Sequence, residues 1–262
     1  MADAKIDVRM EERTAHGVTG PVAHLTIDNR TKANALNSAL MEQFVATVER
    51  LGQDESLRAI VVTGAGEKAF VGGADIAEMS GLDKAGARAF ITRVHRCCDV
   101  VRKSPVPVIA RINGYAFGAG LELAAGCDLR IATDAALFGM QEVRLGIPSV
   151  VEAAILPTLI GWGRTRELLL LGETINAATA QTWGLIERRV PVSDLDAEIG
   201  RVLDSLIACG PRAIRLQKQL IGAWDGVTLD EAVARGIDTF AAAFDTDEPG
   251  RMLGAFVARK KT

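Results

Sequence analysis

The chain has 262 residues, of which 48% are hydrophobic, so it can bury the core of one large domain or of a domain with a smaller appendage. Its formal net charge of -3, with lysines and arginines scattered along the chain, excludes the strong basic surface typical of nucleic-acid-binding proteins. No uninterrupted apolar run approaches the ~20 residues of a membrane-spanning helix, and the first residues carry charges of both signs. We therefore expect a globular, cytoplasmic protein that binds neither nucleic acid nor membrane.

The cysteines are Cys97, Cys98, Cys127 and Cys209. They form no CxxC pair and have no histidine pair nearby, so neither a zinc site nor a disulfide framework is indicated. We expect reduced thiols, several of them buried, and no bound metal.

Strand and helix patterns alternate along the chain up to about residue 190. Alternating or β-branched apolar runs predict strands at 22–27, 57–64, 106–114 and 129–133. Apolar residues repeated at spacings of three and four predict helices at 38–54 and 84–103, and Ser104-Pro105 ends the second helix. The alternation indicates an α/β fold with short strands.

The strand signal disappears after Val190. The remaining segments have helical periodicity and are separated by glycine and proline. We therefore predict a mixed core at 1–195 that binds substrate and carries catalysis. A helical region at 196–262 is predicted to serve oligomerisation and closure of the pocket.

A glycine-rich stretch, "INGYAFGAGLELAAGCD" (112–128), carries one acid, Glu122, in apolar surroundings. Burial of a lone carboxylate costs several kcal/mol unless it is paired, hydrogen-bonded or used in chemistry. The glycines allow a helix to start near Gly118 and to present free N–H groups to an anion or oxyanion, although a tightly packed turn also fits. The spacing fails the dinucleotide-binding fingerprint, and the chain has no Gly-Lys-Ser or Gly-Lys-Thr of a phosphate-binding loop.

Two further segments carry similar signals. "KAFVGGADIAEM" (68–79) is a second glycine turn before a helical pattern and offers another unpaired N–H near Ala74. Two converging N–H groups would polarise a carbonyl and stabilise an enolate. "LFGMQEVRLGIP" (137–148) adds Glu142, which taken alone is typical of a solvated or ion-paired surface residue.

Four segments together resemble, in order and spacing, the signatures of the enoyl-CoA hydratase/isomerase (crotonase) family. They are "NRTKANALN" (29–37), "AFVGGADIAEM" (69–79), "INGYAFGAGLELAAGCDLRIA" (112–132) and "FGMQEVRLGIP" (138–148). The resemblance extends over nearly the whole chain. It implies the α/β crotonase (ClpP-like) spiral of ββα units with a C-terminal helical trimerisation region, assembled as a homo-trimer or homo-hexamer.

Carried over residue by residue, the resemblance implies that Glu122 and Glu142 are the catalytic acids, which hold one water between them. It implies that the backbone N–H groups of Ala74 and Ala119 form the oxyanion hole. The further contacts that it implies with the acyl-CoA are Ala33, Lys68, Gly73, Asp75, Ile76 and Gly118. It also suggests that the basic residues 259–261 lie towards the phosphate of the nucleotide.

The segment "GIPSVVEAAILP" (146–157) departs from the glycine-rich stretch that lines the acyl pocket of many hydratases. Glu152 would be an acid of the pocket on one interpretation, but Ser149 and Glu152 also fit a helix capping box, which is the role that we expect for Glu152. His95 has no partner identifiable from the sequence, so packing is its expected role.

The resemblance implies an enoyl-CoA hydratase that adds water across the 2,3 double bond of a 2-enoyl-CoA. We expect this reaction to use no metal or redox cofactor, and coenzyme A is part of the substrate. Two acids favour hydration, but isomerisation, decarboxylation or retro-Claisen cleavage through the same enolate are alternatives. A non-catalytic acyl-CoA-binding paralogue is a further alternative, disfavoured because both acids are present.

Overall fold

The computed structural model describes residues 4–259. Its strands are β1 (Lys5–Ala15), β2 (Val18–Asp28), β3 (Ala59–Gly64), β4 (Ala69–Val71), β5 (Val108–Ile112), β6 (Tyr115–Phe117), β7 (Leu129–Thr133), β8 (Leu137–Gly139), β9 (Thr174–Asn176) and β10 (Arg188–Val190). Its helices are α1 (Ser38–Gly52), α2 (Ile76–Met79), α3 (Lys84–Lys103), α4 (Ala119–Gly126), α5 (Leu156–Leu171), α6 (Ala177–Trp183), α7 (Leu195–Ala208), α8 (Pro211–Ala223), α9 (Leu229–Ala243) and α10 (Glu248–Arg259). Short 3₁₀ turns lie at Arg30–Lys32, Glu142–Leu145, Val151–Ile155 and Val192–Asp194.

The strands form two sheets. The larger is a 6-stranded sheet of order β1-β2-β3-β5-β7-β10, in which only the β1–β2 pair is antiparallel. The smaller is a 4-stranded sheet of order β4-β6-β8-β9. Consecutive strands alternate between the sheets, because β3, β5 and β7 enter the larger sheet and β4, β6 and β8 the smaller. This repetition confirms the predicted α/β spiral of ββα units.

The larger sheet is covered on both faces. On one face, α1, α3 and α4 pack on its apolar side chains, with Phe44, Val94 and Leu121 among the buried residues. On the other face lies α7, whose Ile199 and Leu203 belong to a second buried cluster. Strands buried on both faces read as continuous apolar runs, so β3 and β5 are the strands that the sequence predicts most clearly.

Helix α8 contacts the core of the molecule through polar side chains. Lys218 of α8 is buried, and its Nζ donates to the carbonyl oxygens of Val101 at 3.0 Å and Val106 at 2.9 Å and pairs with Asp128 at 2.6 Å. Within the described residues no strand follows Val190, as the sequence predicts. The division of the chain at residue 195 stays a prediction.

The sequence analysis missed β1. This strand pairs with β2 along its whole length at the edge of the larger sheet, and most of its side chains are exposed. Charged residues of both signs therefore occupy it without the apolar alternation that reveals inner strands.

None of the helices within residues 4–259 combines the length and the apolar character that a membrane crossing requires.

Candidate active site

The site lies where three neighbouring strands of the smaller sheet end. Because β4, β6 and β8 run parallel, their carboxyl ends meet at one edge, and the segments that follow them enclose a cavity of about 130 Å³. The cavity lining brings together these residues predicted from the sequence: Gly73, Ala74, Ile76, Gly118, Ala119, Glu122 and Glu142.

Glu122 enters the cavity from α4. Its residue is only 4% exposed, and its Oε1 accepts a hydrogen bond of 3.2 Å from the N–H of Ala153. Burial first, and the nearby charge of Glu142 second, raise the pKa of Glu122 to about 8. At neutral pH the carboxyl of Glu122 therefore retains its proton, which a solvated carboxyl would not.

Glu142 begins the 3₁₀ turn Glu142–Leu145 and is half-buried. Its Oε2 accepts a hydrogen bond of 2.8 Å from the hydroxyl of Ser149. Its Oε1 lies against the α-carbon of Gly118, where any Cβ would overlap it. Gly118 also has a φ of 49°, so glycine at this position meets both a backbone and a space requirement.

The N–H of Ala74 is directed away from the neighbouring segment at Leu36. Leu36 donates its N–H to the oxygen of Gly73, and Asp75 donates its N–H to the oxygen of Leu36, both at 2.9 Å. In such a parallel bridge the N–H of the intervening residue is turned to the opposite side. Within residues 4–259 this N–H has no acceptor, and Ala74 lines the cavity.

The N–H of Ala119 is free for a different reason. Ala119 is the first residue of α4, and the first amides of a helix have no acceptor within the helix. The preceding N–H, of Gly118, donates to the oxygen of Gly139 at 2.9 Å, whereas that of Ala119 has no acceptor in the described part of the chain. Two unpaired amides therefore line the same cavity, one of them at the positive end of a helix dipole.

The rest of the cavity wall is mainly apolar. Helix α3 contributes Phe90, Ile91 and Val94, and the residues that complete this wall are Met79, Leu145, Ile147, Pro148 and Val150. An apolar wall beside two carboxylates and two free amides suits a ligand with a hydrocarbon chain next to a carbonyl.

Three of the predicted contacts lie outside the cavity lining. The carboxylate of Asp75 caps α2 and pairs with Lys32 at 2.6 Å, and this lysine holds the pKa of Asp75 below its usual range. Lys68 is exposed, and the oxygen of Ala33 accepts the N–H of Gly72 at 2.8 Å. Contacts of Ala33, Lys68 and Asp75 with coenzyme A stay predictions. Lys260, Lys261 and the side chain of Arg259 lie outside the described residues.

The predicted capping box at Ser149 and Glu152 is wrong. The 3₁₀ turn Val151–Ile155 begins after Val150 without a side-chain cap, because the Ser149 hydroxyl is engaged with Glu142. Glu152 is buried instead and pairs with His95 at 2.9 Å.

Ser149 and Ala153 are partners of the two acids that the sequence analysis missed. The hydroxyl of Ser149 could have been considered from its nearness to Glu142 in the sequence, but a backbone donor such as Ala153 leaves no signal.

No group of three or more His, Cys, Asp or Glu side chains in the described ranges could hold a metal ion.

The comparisons with known proteins agree with this geometry. A model of the family "Enoyl-CoA hydratase/isomerase" matches residues 17–262. The short-chain-enoyl-CoA hydratase of Clostridium acetobutylicum is 34% identical over 246 residues, which cover 92% of this chain and 93% of that protein. The crotonyl-CoA hydratase of Syntrophomonas wolfei is 35% identical over 235 residues, 89% of this chain and 90% of that protein.

Solved structures give the same result. The crystal structure of an enoyl-CoA hydratase from Bacillus anthracis superimposes with a TM-score of 0.89 at 32% identity, covering 96% of both chains. The enoyl-CoA hydratase of Mycobacterium smegmatis gives a TM-score of 0.90 at 27% identity, again over 96% of both chains. The chain therefore belongs to the enoyl-CoA hydratase/isomerase (crotonase) family of enzymes.

Proposed function

We propose that this chain is an enoyl-CoA hydratase that adds water to short-chain 2-enoyl-CoA thioesters. The observation that carries the proposal is the pair Glu122 and Glu142 in one cavity with two unpaired backbone amides. The similarity to hydratases over most of the chain supports the same reaction.

In the proposed complex, the thioester carbonyl oxygen accepts hydrogen bonds from the N–H groups of Ala74 and Ala119. When water attacks Cβ, the π electrons of the double bond move towards this oxygen and form an enolate. Donors that are already oriented stabilise that charge without reorganising, and one such donor typically contributes about 10² to 10³-fold in rate.

Glu122 and Glu142 accept and donate the protons of the reaction. The oxygen of the attacking water forms a bond to Cβ while one carboxylate accepts a proton from that water. The other carboxyl group, which carries the shared proton, delivers it to Cα. The pair begins and ends the cycle with one proton, and positioned acid and base groups each contribute typically about 10² to 10⁴-fold.

The size of the cavity favours a short acyl chain. Its volume of about 130 Å³ lies below the ~300–1,000 Å³ typical of ligand pockets. Phe90 and Val94 are both buried and close the apolar wall, so extension of the chain in that direction requires these side chains to move.

We further propose that the chain works as a homo-trimer or homo-hexamer. The residues that support this lie on α9 and at the residue that follows it, at spacings of three and four, and are all exposed: Leu229, Val233, Ile237, Phe240 and Phe244. An exposed apolar row of this kind is typical of a subunit interface.

The proposed reaction transfers no electrons and uses no metal, and the cytoplasmic location stays a prediction.

The test is a direct assay of the purified full-length chain with 2-enoyl-CoA thioesters of increasing length. We expect loss of the conjugated-thioester absorbance, fastest with crotonyl-CoA. A 3-enoyl-CoA is included in the panel, and conversion of that substrate without hydration of crotonyl-CoA would favour an isomerase. Binding of the thioesters without turnover would favour the non-catalytic paralogue.

A further inference from the structure

A second buried carboxylate, that of Glu152, lies near Glu122 but outside the cavity lining. Its side chain is 3% exposed, and its Oε1 lies 2.9 Å from His95 Nδ1 and 3.8 Å from Arg102 Nη1. Both partners lie on α3 at a spacing that places them on one helical face. The buried Oε2 of Glu152 has no hydrogen-bond partner in the part of the chain that the structure describes. Such a carboxylate is costly to bury.

The backbone beside Glu152 is strained. Val151 has a φ of 42°, a left-handed conformation that β-branched residues rarely adopt. Conformations of this kind persist only where the surrounding contacts fix them. The contact of Glu152 with His95, at 2.9 Å, provides such a restraint at the next residue, because it ties the turn to α3.

The strained turn ends at a contact with the candidate catalytic acid. The N–H of Ala153 lies 2.9 Å from the oxygen of Val150 and 3.2 Å from Oε1 of Glu122. Ala153, which carries this N–H, is therefore the immediate neighbour of Glu152.

We propose that Glu152, held by His95, is a positioning residue for Glu122. The pair fixes the turn at 151–153 so that the N–H of Ala153 orients the catalytic carboxylate. The inference rests on the proposed hydratase function, because it assigns Glu152 a part in that reaction without contact with the substrate.

Several charged or titratable groups surround this arrangement. Glu142 and Glu152 act on Glu122 by their charges, Arg102 also pairs with Asp225 at 3.5 Å, and the Cys98 thiol is buried beside the two glutamates. The hydrogen bond from Ala153 lowers the pKa of Glu122, and the charge of Glu152 raises it. Loss of the hydrogen bond from Ala153 would therefore raise the pKa of Glu122, and loss of the charge on Glu152 would lower it.

The test compares variants in the full-length enzyme with crotonyl-CoA as substrate. In His95→Ala we expect kcat to fall about 10-fold with an unchanged KM. The pH at which kcat falls on the alkaline side should rise, because Glu122 loses the hydrogen bond from Ala153. His95→Asn should restore kcat, since its amide N–H replaces Nδ1. Glu152→Ala should lower kcat to a similar extent, and Glu152→Gln, which keeps a side chain able to hydrogen-bond His95, should retain more of it.

His24→Ala is the matched control. It removes a histidine that pairs with Glu11 at 2.7 Å on the β1–β2 hairpin, and it should leave kcat and the pH profile unchanged. A folded His95→Ala enzyme with wild-type kcat and pH profile would overturn the proposal. So would a folded Glu152→Ala enzyme with wild-type kcat, which keeps the test decisive if His95→Ala does not fold. Failure of the wild-type chain to hydrate crotonyl-CoA would contradict the proposed function itself.

Discussion

Glu122 and Glu142 reach the cavity from different elements and are held by different partners. Glu122 is almost fully buried on a helix and accepts a backbone hydrogen bond, whereas Glu142 lies on a 3₁₀ turn and accepts from the Ser149 hydroxyl. Because burial and, second, the nearby charge of Glu142 raise the pKa of Glu122 to about 8, the pair retains a proton at neutral pH. This retained proton is what a reaction with one acid and one base requires.

We predict that Glu122→Gln and Glu142→Gln each lower kcat by about 10² or more, because either change removes a proton-transfer group. Affinity for the acyl-CoA should change little, since the amides and the apolar wall remain. Steady-state kinetics with crotonyl-CoA and a binding titration with a saturated acyl-CoA measure the two quantities. Glu167→Gln, at an exposed position of α5, is the control. Full activity of Glu122→Gln would exclude the hydratase mechanism.

The pKa of Glu122 predicts the alkaline limit of activity. Since burial and Glu142 raise this pKa to about 8, kcat should fall as the pH rises through that value and the pair loses its proton. The measurement is kcat at saturating crotonyl-CoA across this range. A kcat that stays constant well above this pH would contradict the assignment of the proton to the pair.

The same shift has a consequence for stability. The carboxyl of Glu122 ionises near 4.5 in the unfolded chain and near 8 in the folded one, so the folded state binds the proton more tightly. Its contribution to stability is complete below pH 4.5 and is lost as the pH rises to about 8. Glu122→Gln cannot ionise, so its Tm should exceed that of the wild type at pH 8 and above. A Tm difference between the two proteins that stays constant from pH 4.5 to above pH 8 would contradict the raised pKa of Glu122.

Ala119 is proposed to act through its backbone, which allows a test at one position. Ala119→Gly keeps the N–H and should keep kcat. Ala119→Pro removes the donor at the first helical position, where proline is tolerated, and should lower kcat by about 10² to 10³. Tm and kcat of both variants are compared with the wild type. A folded Ala119→Pro enzyme at the wild-type rate would place the thioester carbonyl elsewhere.

At the scale of elements, α4 depends on its close approach to β4. A Cβ at Gly120 would overlap the carbonyl oxygen of Val71, whereas nothing lies within 4 Å of a Cβ at Gly163 of α5. We therefore predict that Gly120→Ala destabilises the fold by about 1–3 kcal/mol. Gly163→Ala, the control, should stabilise it by up to ~1 kcal/mol. Denaturant unfolding measures both, and equal effects would contradict the close approach.

The elements differ in how far the sequence predicts them. The inner strands and α1, α3 and α4 follow from apolar runs and helical spacing, because burial dictates those side chains. The exposed strand β1 and the left-handed Val151 do not, since one carries no apolar alternation and the other adopts a conformation that valine rarely has. The pair of His95 and Glu152 depends on that turn and was missed with it.

At the scale of the whole molecule, the exposed apolar row on α9 predicts self-association. Sedimentation of the wild type should give a trimer or hexamer, because Ile237 and Phe240 would be buried between subunits. Phe240→Glu should sediment as a smaller species, while Asp238→Asn on the same helix should not. An active wild-type monomer would refute the assembly.

The position of the candidate site could be predicted from the sequence, but its support could not. The two acids and the glycine turns belong to ordered motifs, so the resemblance identifies them, and the structure brings them to one cavity. Ser149 and Ala153 support the acids through contacts that depend on how the segment after β8 folds back. Single short-range patterns do not encode such contacts.

The alternation of strands between the two sheets has a consequence for how such enzymes diversify. Each turn of the spiral delivers one loop to the cavity: the first carries the Ala74 amide, the second Ala119 and Glu122, and the third Glu142. In the proposed mechanism the third loop carries an acid but no amide that binds the carbonyl, so this acid and the two amides are inherited on separate segments of one gene. A change confined to the third loop can alter which carbon receives a proton while the enolate remains stabilised, so new reactions can arise without rebuilding the fold.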